Sequence, residues 1–210
     1  MNTQYLHSKA KAWHAGEASG HDFAHVARVV SNAEKILRAY PEADREVVIA
    51  AALLHDVADH KLIPPQKKAE TLEMMRQWLV QAGAQQGQID LVLHICTNLS
   101  FSTHFTISKY CPGMCHKSIM INLIKSLLVI KFSRLDAIGA IGIARAFTYG
   151  GAHNREIYRE GSKDDTISHF YEKLLLIKDR MNTRAGRRIA RQRHRFLESF
   201  LSEFFKEMRL

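Results

Sequence analysis

The chain has 210 residues, 46% of them hydrophobic and 24% charged, enough to bury a core and ordinary for a globular protein. That excludes a disordered chain, and four prolines with eleven glycines exclude a low-complexity or collagen-like one. The net charge of +9 is unevenly placed: residues 173–210 carry +7, residues 104–135 carry +5 with no acid, and the remainder carries −3.

In chain order, Met1 to Ala18 holds no apolar stretch of the signal-peptide kind, and no apolar run anywhere reaches the ~18 residues that span a bilayer. A cytoplasmic protein without membrane contact is therefore expected. Phe23 to Tyr40 carries Val26, Val29, Val30, Ala33, Ile36 and Leu37 on one helical stripe, and Pro41 closes it. Val47 to Val57 is almost wholly apolar, as in a helix buried on most sides. Pro64 and Pro65 open a further helix that runs to Gly83, and another begins at Ile89. A long apolar stretch from Ile119 to Phe147 passes through the small-residue run Ala137 to Ala146. Gly150, Gly151 and the polar residues 155–165 read as an exposed loop. Thr166 to Arg180 and Thr183 to Met208 close the chain as two amphipathic helices, the second with a buried stripe of Ile189, Phe196, Phe200, Leu201 and Phe204. Strand alternation is nowhere sustained. The expectation is an all-α, single-domain bundle over 1–210.

His55 and Asp56 end the most apolar segment, where a carboxylate is costly unless it is paired or holds a metal. His25 lies on the inner side of the preceding helix. Two imidazoles and a carboxylate suit a divalent ion such as Mn, Fe, Co, Ni or Zn. The same histidines also fit core positions satisfied by hydrogen bonds, and the spacing alone leaves both readings open.

The motifs extend the pattern. SGHDFAHVARV around His25, ALLHDVAD at 52–59, LSFS at 99–102, RLDAIGAIGIARAF at 134–147 and HFYEKLLLIKDRMNT at 169–183 resemble, in that order, the HD-domain superfamily of metal-dependent phosphohydrolases. They are most similar to its YedJ-like and YpgQ-like bacterial branch, some members of which are nucleotide pyrophosphohydrolases. The resemblance implies an HD-type helical bundle with His25, His55 and Asp56 as metal ligands, the metal being Mn, Mg, Co, Ni, Fe or Zn. It implies a small phosphorylated substrate of the nucleotide kind, attacked by a metal-activated water. Arg28, one turn beyond His25, is a candidate for a phosphate oxygen or a structural arginine. Asp59 is a candidate to orient a ligand histidine or the water, and Lys61 a candidate phosphate contact or a solvated loop end.

One position departs from the resemblance. The family's fourth ligand is an aspartate, and its place falls on Ser133, with Lys131 where a second acid is usual. Asp136 is retained three residues on, about 4.5 Å further along a helix, a weak substitute on that spacing. The whole of 104–133 lacks acids and holds Cys111 and Cys115. A compensated change of reading frame and ordinary divergence both explain it, and reading the coding DNA in its other frames separates them. Cys111-Pro112-Gly113-Met114-Cys115-His116 has three residues between its cysteines, where covalent haem attachment needs two. A zinc site with His104 or His116 has admissible spacing, and unpaired cysteines are the plainer reading. Two function classes follow: a working phosphohydrolase, or an impaired HD scaffold that binds nucleotide or metal weakly without turnover. The arginine-rich run 184–195 is read as a solvated face with weak, nonspecific affinity for nucleic acid.

Overall fold

The computed structural model describes residues 1–18, 20–41, 43–59, 62–97, 133–181 and 183–208. The expectations placed on Lys61, Lys131, LSFS, the cysteines Cys111 and Cys115, His104 and His116 lie outside the described residues. Among the described residues every regular element is helical, so the all-α expectation holds, and no helix is long and apolar enough to cross a membrane. The chain divides into two compact units, Met1–Ala15 with Val26–Phe132 and Gly16–His25 with Ser133–Leu210.

The first unit is built round α3 (Arg45–Leu54), which packs against α1 (Thr3–Trp13) and α5 (Gln86–Thr97), while α4 (Lys68–Gln81) covers α5 and α1. Every α3 residue from Val47 to Leu54 is buried, as its apolar run requires. Its start is fixed by Asp44, whose carboxylate accepts from Val47 N at 3.2 Å. The helix stops at Leu54, three residues short of expectation, and His55 to Ala58 form a buried turn. α1 was not foreseen: Asn2 caps it through Tyr5 N at 3.0 Å, and only Leu6 and Ala10 are buried. Pro65–Lys67 is a 3-10 turn that leads into α4, so the two prolines act as a helix opener. Helix α2 (Phe23–Leu37) ends three residues before the expected Tyr40, in turns closed by Ala39 N and Tyr40 N.

In the second unit, residues 133–136 make one helical turn, Gly139 breaks the chain direction at φ +83°, and α6 (Ala140–Ala152) follows. Gly150 and Gly151 lie inside α6, which corrects the expected loop. A Cβ on Gly150 would run into the Thr166 hydroxyl and one on Gly142 into the Ala137 backbone, so these glycines serve close approach. Residues 155–164 do form the exposed connection, while Asp165 at its end is buried.

The expected helix over 166–180 is broken. It comprises α7 (Thr166–His169), a π-turn at Phe170–Leu174 with Leu175 N bonded to Phe170 O at 2.9 Å, and a 3-10 turn at Lys178–Arg180. The last helix, α8 (Arg184–Glu207), buries Gly186, Ala190, His194, Leu197 and Leu201. Phe196, expected on the buried stripe, is 52% exposed. The seam turned inward is the one whose small residues permit close packing. Phe200 instead joins Phe147, Phe170 and Phe204 in a ring cluster with centroids 5.7–6.1 Å apart.

Candidate metal centre

In the first unit, His55 caps α3 and Asp56 follows it in the buried turn. His55 Nδ1 lies 2.9 Å from the Ala52 carbonyl. A carbonyl only accepts, so Nδ1 carries the proton and the neutral ring keeps its lone pair on Nε2. That nitrogen lies 3.2 Å from Asp56 Oδ1. Two acceptors at this distance call for a proton or a cation. Neighbouring ligands of one ion, with bonds of about 2.1 Å, sit about 3.0–3.4 Å apart, so the pair fits a divalent metal. Cys96 is buried on α5; burial pushes its thiol well up, and the Asp56 charge adds to this. Asp59 is half-buried, with its backbone N–H on Asp56 O at 3.2 Å.

In the second unit, His25 stands in the first turn of α2, where its backbone N–H donates to Asp22 Oδ1 at 2.8 Å. Its ring is 2% exposed, and its Nδ1 lies 2.7 Å from Oδ2 of Asp136, which is 1% exposed. The carboxylate accepts, so here too Nδ1 carries a proton, and Nε2 is the nitrogen left to act as a ligand in the neutral form of the ring. A carboxylate behind an imidazole in this way fixes the tautomer and orientation of the ring. The Asp136 carboxylate is held by Arg145 of α6, whose Nη1 lies 3.4 Å away while its Nε donates to Gly20 O at 2.6 Å. The turn that carries Asp136 is tied to α8 through Arg193, which donates to the Leu135 carbonyl.

Residues 133–136 are helical, so Asp136 does stand three residues further along the same turn as Ser133, and from there it meets the Nδ1 side of His25. Ser133 is half-buried at the start of the same turn, and Arg28 is half-buried on α2. Sequence reasoning missed Arg145 and also His21, a buried imidazole in edge contact with His25 and Tyr149 at 6.1 and 6.2 Å. Arg145 lies nine residues beyond Asp136 in the quoted RLDAIGAIGIARAF, but nothing in a linear reading says that the chain folds back between them.

Known proteins extend the local picture. The HD-domain family model matches residues 22–96, the stretch that holds His25, His55 and Asp56. Over 192 residues the chain is 37% identical to the uncharacterized protein YpgQ of Bacillus subtilis (strain 168), covering 91% of this chain and 86% of that one. Among solved structures, that of Bacillus subtilis YpgQ in complex with ADP matches with a TM-score of 0.78 at 31% identity, covering 99% and 98% of the two chains. An HD-superfamily hydrolase from Bacillus thuringiensis matches with a TM-score of 0.73 at 36% identity, covering 98% and 96%. With a relative 37% identical over 91% of its length and the family model matching residues 22–96, the chain belongs to the HD-domain family.

Proposed function

We propose that this protein is a metal-dependent phosphohydrolase acting on a nucleotide or a related phosphate ester or anhydride, with His25, His55 and Asp56 as the metal ligands and residues 1–210 working as one HD domain. The observation that carries the reading is the fixed tautomer of both histidines, each with Nδ1 engaged by an acceptor. Two such imidazoles and a carboxylate, all buried, suit a divalent ion of the Mn-to-Zn series. The ion supplies Lewis acidity toward a phosphoryl oxygen and lowers the pKa of water. Asp136 keeps the proton on His25 Nδ1, and Arg145 keeps that carboxylate in place. Arg28 holds a phosphate oxygen, Lys61 adds a second cation, and Asp59 orients the water or a ligand. A nucleotide is favoured as substrate because the similar YpgQ is known in complex with ADP.

One observation favours the second reading, an impaired scaffold. Ser133 stands at the expected fourth-ligand position, and Asp136 is engaged with His25 and Arg145. Mn-dependent phosphate or pyrophosphate release from a nucleotide panel, natural protein beside Ser133→Asp, separates the two. Turnover by the natural protein that a chelator stops supports the enzyme. Turnover by Ser133→Asp alone identifies a disabled enzyme, and silence of both folded proteins overturns the phosphohydrolase reading.

A further inference from the structure

The second unit contains a cavity of about 350 Å³ lined by Lys178, Asp179, Met181, Arg187 and Arg191, none of which the proposed reaction uses. We propose that this cavity is a binding site for the di- or triphosphate group of a small anion, working without a metal.

Three cations line the recess against one carboxylate. Two of them are held by neighbours rather than waving in solvent. Arg187 Nη1 donates to the Met181 carbonyl at 3.2 Å, which sets the direction of its guanidinium. Lys178 Nζ lies 2.7 Å from Nε2 of the buried His194. An ammonium has three N–H donors, so this contact leaves two for a ligand. The Glu198 carboxylate lies 3.2 Å from His194 Nε2, and with Asp179 it sets two acids against these cations. Arg191 follows Arg187 by one turn of α8 and so shares its face.

The wider surroundings add positive charge. Arg180 sits in the same 3-10 turn as Lys178, and burial, together with the like charge of Arg180, lowers the Arg134 guanidinium. Planar guanidinium forks beside an ammonium are the donor set for phosphate oxygens. A di- or triphosphate offers enough oxygens to engage the three cationic groups at once, which a single phosphate does less well. The shape favours a small anion over nucleic acid, because a duplex carries its phosphates on a convex rod and offers such a recess one of them.

Isothermal titration of the full-length protein, in EDTA and about 150 mM salt, with inorganic triphosphate and separately with ADP, tests this. Saturable triphosphate binding is expected, weakened at least tenfold in Arg187→Gln/Arg191→Gln. Both side chains are exposed, and Lys178→Met is the second variant if circular dichroism shows the double variant to be unfolded. ADP that competes for the same site identifies a nucleotide as the source of the phosphates, and ADP that does not identifies an inorganic polyphosphate. The proposal is overturned by an absence of saturable binding in EDTA, or by variants that bind as well as the natural protein. A duplex oligonucleotide that binds more tightly than triphosphate through the same arginines overturns it in favour of a nucleic-acid face.

Discussion

The two units hold their histidines by different means. In the first, His55 is fixed by the carbonyl of Ala52, a backbone group of its own helix that no side-chain substitution removes. In the second, His25 is fixed by Asp136, which is held in turn by Arg145. The first arrangement needs only that α3 stay helical to its end. The second needs three side chains from separate segments to remain in place, and in exchange a carboxylate fixes the ring's tautomer and orientation. A defect at a distance therefore threatens His25 far more than His55.

The largest effect tests what the two histidines share. His55→Ala and Asp56→Ala are each expected to lower metal-dependent phosphate release by about 10³-fold or more, since several kcal/mol of charge stabilisation depend on the ion. Mn affinity measured by calorimetry should fall with activity. A His55→Ala protein that keeps full turnover removes this histidine from the site.

The next effect separates the two arrangements. Asp136→Asn keeps the shape of the side chain and removes its charge, and a loss of about 10–100-fold in metal affinity is expected. Ala52→Gly alters the residue whose carbonyl holds His55 without removing that carbonyl. It is expected to cost about 1 kcal/mol of stability and to leave metal affinity within about twofold of the natural protein. Equal losses of affinity in the two variants would erase the distinction.

A smaller effect belongs to Arg145, which acts through Asp136. Arg145→Lys retains the charge but not the fork that bonds both Asp136 and Gly20. A fall of about tenfold in metal affinity is expected, less than for Asp136→Asn. The double variant should lose little beyond Asp136→Asn alone, because both changes act on one carboxylate. Additive losses would assign Arg145 a role independent of Asp136.

What was legible in the sequence follows the same division. His25, His55 and Asp56 stand in contiguous motifs whose residue types carry the chemistry, and α3 announces itself by an unbroken apolar run. The contact between Asp136 and His25 joins residues 111 apart, a separation that no local sequence pattern reports. α1 was missed because two buried residues among eleven leave almost no apolar period. The α8 seam was misplaced because Gly186, Ala190 and His194 give a weak hydrophobic signal, while the exposed Phe196 gives a strong one. Gly150 and Gly151 look like a loop to any rule that treats glycine as a breaker. Only the Thr166 hydroxyl packed against Gly150 explains why a helix needs it there.

The smallest effect concerns a carboxylate held in the opposite way from Asp136, by backbone rather than by side chains. Asp165 caps α7 by accepting from Ser168 N at 2.6 Å and also takes the Arg159 N–H at 3.2 Å. Burial pushes its carboxyl up, but the two backbone N–H groups and the nearby Arg159 charge outweigh this and hold it below the ordinary aspartate range. A carboxyl with a folded-state pKa below its unfolded one binds fewer protons when folded. Its contribution is therefore complete above the unfolded value of about 3.9 and fades as pH falls through the lower folded value. Asp165→Asn keeps a capping oxygen and removes the charge, so a cost of at most about 1 kcal/mol is expected at pH 7. Urea unfolding of both proteins should show that gap constant down to about pH 4 and closing below it. A gap that stays level to pH 2 would mean that the cap owes nothing to its charge.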